Sequence, residues 1–209
     1  YSWTKDEIEE LWSDIHSSLR GNTEYFLGTL VLNKENHSED QYDIVDGQQR
    51  LATFTIIFSA IRALAKHFTT NDNIFPQTPR TSANSELSTK IFNISQSKLV
   101  YVSEPNNYYL SMNIKDEKVF KPHILLDELP LINDEQLAPA KTENRIIKAK
   151  KYIYKRLKDD YFSSNDAIKQ INDLLIHIIK KLRFITITVQ NDYDAYLLFE
   201  SLNSKGMDL

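Results

Sequence analysis

Between Tyr42 and Phe68 the hydrophobic period changes once, and that change limits the fold more than any other feature of the chain. Tyr42 to Val45 is a short β-prone run. From Gln48 onward, Leu51, Phe54, Ile57, Phe58, Ile61, Leu64 and Phe68 fall on one face at helical spacing. Asp46-Gly47 is therefore read as a turn leading from a strand into a long helix. Upstream, Tyr25 to Leu32 is apolar and β-prone, interrupted by Gly28, and the polar segment Asn33 to Gln41 joins the two runs as a β-hairpin. Thr4 with Glu7 has the spacing of a capping box. Ile8, Leu11, Trp12, Ile15 and Leu19 follow it as an amphipathic helix that ends before Gly21.

Downstream, Thr69 to Thr89 is rich in Thr, Ser, Asn and Pro and reads as a loop. Lys98 to Val102 is assigned a strand, and Asn106 to Met112 a short helix. Thr142 to Phe162 carries an apolar residue at each helical interval. After Ser163-Ser164 a second helix carries Ile168, Ile171, Leu175, Ile178 and Leu182. Arg183 to Gln190 alternates as a strand, with Ile185, Ile187 and Val189 on one side and Phe184, Thr186 and Thr188 on the other, one face expected to be buried and the other only partly so. A last helix, Tyr193 to Leu202, is expected to stop in Asn203-Ser204-Lys205-Gly206. The order implies an α+β fold, a small mixed sheet with flanking helices and an inserted helical region. Residues 1–68 and 183–209 are its α/β core and 90–182 its helical insert.

Composition narrows the function. With 209 residues and 41% hydrophobic content the chain can bury a substantial core, while 25 basic against 29 acidic side chains give a net charge of -4. That balance excludes binding to nucleic acid by bulk charge, so any DNA contact has to be local. With no cysteine, disulfides, thiolate metal sites and cysteine nucleophiles are excluded, which fits a reducing cytoplasm. No apolar run approaching a membrane span and no signal-peptide pattern are read, so the expectation is a cytoplasmic protein without membrane contact. The abrupt ends, Tyr1-Ser2-Trp3 and Met207-Asp208-Leu209, suggest a piece of a longer protein.

The strongest chemical signal is Val45-Asp46-Gly47-Gln48-Gln49-Arg50-Leu51. Gly47 lets the backbone approach an anion, the N–H groups opening the helix point at it, and Arg50 adds a planar fork of donors. Asp46 can hold a divalent cation such as Mg2+ against phosphate oxygens or polarise an attacking water. Gln48 and Gln49 can orient that water or read a base or ribose. The alternative is an ordinary turn in which Asp46 caps the helix and Arg50 pairs with a surface carboxylate. A second signal is Phe199-Glu200-Ser201-Leu202-Asn203-Ser204-Lys205-Gly206, where Asn203 and Lys205 can close over a nucleotide or can simply end a helix.

Together these segments resemble the amino-terminal domain of GmrSD-type restriction proteins, in the ParB and sulfiredoxin-like superfamily. Tyr1-Ser2-Trp3 is similar to the end of the family's opening Tyr-x-Arg-x-Tyr-x-Trp motif, and Tyr25-Phe26-Leu27-Gly28 to its Phe-Leu-Gly strand. Asp46 to Leu51 reproduces its Asp-Gly-Gln-Gln-Arg signature, and Phe199 to Gly206 follows its Phe-x-x-Leu-Asn-x-x-Gly pattern. The last motif usually carries Arg before its Gly, where this chain has Lys205, a point charge in place of a fork. The opening motif's Arg would lie upstream of Tyr1.

The resemblance implies binding and hydrolysis of a nucleoside triphosphate with Mg2+, coupled to a separate nuclease domain acting on foreign DNA that carries modifications. On this reading Asp46, Gln48 and Gln49 are the catalytic candidates, Asp46 also the one for metal. Gly47, Arg50, Asn203, Lys205 and Gly206 are the phosphate-binding set. The alternative is a non-catalytic ParB-like module that senses a nucleotide or modified DNA for a partner nuclease. The five histidines, His16, His37, His67, His123 and His177, form no compact nuclease or metal motif. Lys148, Lys150, Lys151, Lys155, Arg156 and Lys158 are the densest basic run. Lys151, Lys155 and Lys158 in it are candidate DNA contacts, or else a solvated helix face. Tyr108, Tyr109, Tyr152, Tyr154 and Tyr161 can stack on a base or pack in the core.

Overall fold

The computed structural model describes residues 1–35, 41–70, 75–99, 108–126 and 142–205, without the side chains of 142–144 and 203–205. Helix α1 (Lys5–Gly21) opens in the expected capping box: Thr4 accepts from the first turn and the Glu7 carboxylate accepts from the Thr4 N–H at 2.8 Å. The hairpin of β1 (Tyr25–Asn33) and β2 (Asp43–Asp46) follows, and then α2 (Gln48–Thr69). Helices α3 (Ser82–Gln96) and α4 (Ile114–Phe120) lead to a π-helical turn at Lys121–Leu125. Helices α5 (Thr142–Tyr161) and α6 (Ala167–Lys181), strand β3 (Leu182–Val189) and helix α7 (Asp192–Lys205) complete the chain.

The sheet has the order β2-β1-β3 and is mixed. β1 runs antiparallel to β2, with Val31 opposite Asp46, and parallel to β3, with Thr29 opposite Ile185. A parallel pair needs a long crossover, and here the helices α2 to α6 supply it. The fold is thus α+β, a small mixed sheet flanked by helices.

At its centre is α2. By length and composition it is a helix that could cross a membrane, which the sequence reading did not foresee, yet 78% of the apolar 18-residue stretch within it is buried inside the protein. It is apolar most of the way round because it is wrapped on several sides, packing on α3, α5 and α6. One contiguous core joins α1, α2, α5 and α6 through Trp12, Ile15, Ile57, Ile61, Ile153 and Ile171.

Four local expectations are corrected. The segment read as a loop to Thr89 is helical from Ser82: Thr81 caps it by accepting from the Asn84 N–H at 3.2 Å. Its buried stripe is Ser88, Ile91 and Ser95, small enough for α3 to lie close on α2, where Ser88 Oγ donates to the Ala65 carbonyl at 2.9 Å. Residues 108–112 of the expected short helix are not helical. The helix begins only after Asn113, whose side chain accepts from Lys115 and Asp116. Of the expected strand at Lys98 to Val102, Lys98 and Leu99 form a turn and 100–102 lie outside the described residues. Finally, β3 is an edge strand on which only Leu182, at its start, is buried, so the expected buried face is not found. Phe184 meets Phe54 edge to face at 6.1 Å, while Ile185 on the opposite side is 55% exposed.

Two histidines pin α1 to the helices behind it. His16 Nδ1 donates to the Trp12 carbonyl at 2.9 Å, leaving Nε2 to accept from the Tyr161 hydroxyl at 2.7 Å. Ser18 Oγ donates to the Ile15 carbonyl, so His177 Nε2, 2.8 Å from that oxygen, carries the hydrogen between them. Burial holds both rings below the ordinary histidine value of 6.5. Arg156 and Arg20 add to this at His16 against the opposing Trp12 carbonyl and Asp160, and Lys181 adds to it at His177. A lowered folded value means that the unfolded chain takes up protons first as pH falls below about 6.5, so their share of stability is complete above that pH and lost on acidification. Urea midpoints measured from pH 7.5 down to 5 should fall, and the fall should shrink in His177→Gln; an equally steep fall in that variant would remove the histidine from the account.

Candidate functional site

Gly47 makes the site possible. It caps α2 in a left-handed conformation, φ 88°, and a Cβ there would lie 2.3 Å from Leu30 Cδ2, so only glycine lets the chain pass this close over β1. Because the cap is glycine and not Asp46, no cap side chain covers the first-turn N–H groups of this long helix, whose positive end faces the cleft.

Arg50 follows in the first turn, half-buried. Its guanidinium lies over Gly28, where a Cβ would come within 2.8 Å of Nη1, and Nη1 donates to the Thr29 carbonyl at 3.2 Å. Gly28 has φ 105° and sits where the pairing of β1 with β3 shifts register between Phe26 and Thr29. The two glycines thus do separate work: one opens the helix end, and the other seats the arginine beside it. The bond that Arg50 makes is to a backbone carbonyl, not to the surface carboxylate of the ordinary-turn reading.

A short strap closes the cleft from the other side. Ser2 donates its N–H to Gln49 Oε1 at 2.8 Å, and the Ser2 carbonyl accepts from Arg145 of α5 at 2.8 Å. The Tyr1 hydroxyl, pushed up to about 12 by burial, donates to Thr53 Oγ1 at 2.8 Å, since that oxygen already donates to the Gln49 carbonyl. The Tyr1 backbone nitrogen bonds to Asp116 Oδ2 at 2.5 Å. Gln48 Nε2 donates to the Ile44 carbonyl. Both glutamine side chains therefore already hold protein groups.

The resulting cleft, about 230 Å³, is lined by Trp3, the run from Val45 to Arg50, and Phe199 of α7. Asp46, Gly47, Gln48, Gln49 and Arg50 all reach it. Phe199 brings the last motif to the same cleft from 149 residues beyond Arg50 in sequence. Asn203 and Lys205 are still helical, α7 running past the stop expected at Leu202; their side chains, and Gly206, lie outside the described residues. Among the described residues no three His, Asp or Glu side chains gather as a metal site, and of the residues lining the cleft Asp46 alone carries a carboxylate.

The basic run on α5 divides. Lys150 is buried and donates to the His123 carbonyl at 2.5 Å, and Arg156 lies 3.6 Å from both Glu9 and Asp160. Lys151 is half-buried, and Lys155 and Lys158 are exposed, the last with its ammonium 5.5 Å from the Phe162 ring. Of the five tyrosines, Tyr161 is core and Tyr152 donates to Glu9, whereas Tyr109 is 54% exposed. Sequence reasoning named Trp3 and Phe199 only as motif letters and passed over Arg145 and Asp116, which carry no local signal.

A sequence model of one family, described as GmrSD restriction endonuclease, N-terminal domain, matches residues 1–209. No curated protein matches the chain.

Proposed function

The chain belongs to the family of GmrSD restriction endonuclease N-terminal domains, and on that premise we propose that its cleft binds a nucleoside triphosphate with the phosphates at the start of α2. The chain is part of a GmrSD-type restriction system, which acts on DNA together with a nuclease domain. The observation that carries the proposal is the convergence on one cleft of a glycine-capped helix start, a seated guanidinium and two aromatic walls. Oriented N–H groups and an arginine fork favour an anion with several oxygens. A cleft of about 230 Å³ lies just below the roughly 300 to 1,000 Å³ typical of small-molecule sites and is too small to receive a nucleic-acid duplex.

Asp46 would hold Mg2+ shared with phosphate oxygens, the usual arrangement where one carboxylate is available. Hydrolysis of the nucleotide, DNA binding through the whole protein and a cytoplasmic setting belong to the same reading. A second reading, binding without turnover, is favoured by one observation: each glutamine amide has one end committed to the protein, Gln48 Nε2 to the Ile44 carbonyl and Gln49 Oε1 to the Ser2 N–H.

Calorimetric titration with nucleoside triphosphates and Mg2+ tests binding, and a phosphate-release assay separates the two readings. Arg50→Ala should weaken binding by roughly tenfold to a hundredfold, the loss of a charge-assisted contact of about 1.5 to 3 kcal/mol, with the melting temperature little changed. A variant that unfolds, or binds as before, removes Arg50 from the phosphate site.

A further inference from the structure

We propose that Trp3 and Phe199 form an aromatic clamp for the ring of a bound nucleotide, so that the cleft selects nucleoside phosphates over bare phosphate chains. The inference rests on the phosphate reading above and adds where the rest of the ligand lies. Its observation is separate from the helix end: two large rings, from the first and last segments of the chain, line the same small cleft.

Neither ring is there merely to fill core. Phe199 stays 37% exposed on α7, whose buried residue among those described is Ala195, and Trp3 only leans on the core from a half-buried position. An exposed phenylalanine beside a guanidinium and a helix start is poorly placed for stability and well placed for a flat apolar ring tethered to an anion. The strap explains how Trp3 is held. Ser2 is gripped on its N–H by Gln49 and on its carbonyl by Arg145, and Tyr1 is gripped by Thr53 and Asp116, so little freedom is lost when a ligand stacks. Gln49 thereby acts as a positioning residue for the clamp, tying the strap to the first turn of α2. A base carried on a phosphate backbone has the same chemistry as a free nucleotide, but the small volume of the cleft favours the free one.

The test compares inorganic triphosphate, ATP and UTP, each with Mg2+, by calorimetry on the chain and on Trp3→Leu, Phe199→Leu and Phe199→Tyr. At least one nucleotide should bind ten times or more tighter than inorganic triphosphate. Phe199→Leu and Trp3→Leu should erase most of that preference while leaving inorganic triphosphate affinity within about twofold, and Phe199→Tyr should keep it. If Trp3→Leu does not fold, the phenylalanine pair decides. Equal binding of nucleotide and inorganic triphosphate, or equal losses for both in Phe199→Leu, overturns the clamp and leaves the phosphate site standing. Failure of every ligand to bind overturns both. Displacement of the nucleotide by a short single-stranded oligonucleotide at matching affinity would assign the clamp to a flipped base and overturn the free-nucleotide proposal.

Discussion

Arg62→Ala should cost the fold about 4 kcal/mol and lower the melting temperature by roughly 8 to 16 °C, read by thermal unfolding or urea titration. Arg62 is 4% exposed near the middle of α2, and its guanidinium spans three elements. Nη1 donates to Gln96 Oε1 at the end of α3 and to the Leu125 carbonyl, both at 2.7 Å, and Nη2 donates to the Ile124 carbonyl at 3.1 Å. Those carbonyls belong to the π-helical turn, where each is a buried acceptor that loses this donor in the variant. Each orphaned acceptor costs about 1 to 3 kcal/mol, and the cavity adds to that, so one substitution removes a large part of a stability of about 5 to 15 kcal/mol. Arg62→Met restores volume without donors and should recover only the cavity share. Arg62→Lys keeps one donor group where a fork is needed and should fall between. If Arg62→Ala melts within about 2 °C of the parent, these bonds do not hold the turn to α2.

Gly47→Ala should destabilise by about 2 to 4 kcal/mol and abolish cleft binding together. Two costs combine. A φ of 88° is unfavourable for any side chain, by about 1 to 2 kcal/mol, and the new Cβ would meet Leu30 Cδ2 at 2.3 Å, a residue only 8% exposed. Leu30 can move, but the Thr29 carbonyl, 3.3 Å from the same point, is backbone and accepts from Arg50. Relaxation therefore travels to the guanidinium that the phosphate reading needs. The double variant Gly47→Ala/Leu30→Ala separates the costs: it should relieve the clash without relieving the backbone strain. Urea midpoints and nucleotide titrations on Gly47→Ala, Leu30→Ala and the double variant measure both. Full stability in Gly47→Ala would mean that the turn tolerates a side chain and that glycine is not required there.

How much of this was legible depended on range. Thr4 and Glu7 are three residues apart and their box is visible in the letters. The same holds for the strand-to-helix change at Asp46-Gly47, because periods of 2 and 3.6 write themselves into neighbouring residues. The family signature is legible for that reason as well. α3 was missed because its contact with α2 uses Ser88 and Ser95, residues whose local preference is for loops and whose value here is being small. The apolar alternation of β3 was read as burial, yet alternation reports only which residues share a face and not whether anything covers it.

By itself, then, the sequence determined α1, the hairpin, the turn that opens α2, and the order of α5, α6, β3 and α7, since these follow from backbone conformation and spacing over a few residues. Tertiary structure alone decided that Gly28 seats Arg50, that Trp3 and Phe199 face one cleft, and that Lys150 and Arg62 are buried while Lys155 and Lys158 stay in water. Each of those facts depends on partners brought together from distant parts of the chain. A buried charge in particular is stable only where such partners, here carbonyls of the turn between α4 and α5, complete its hydrogen bonds.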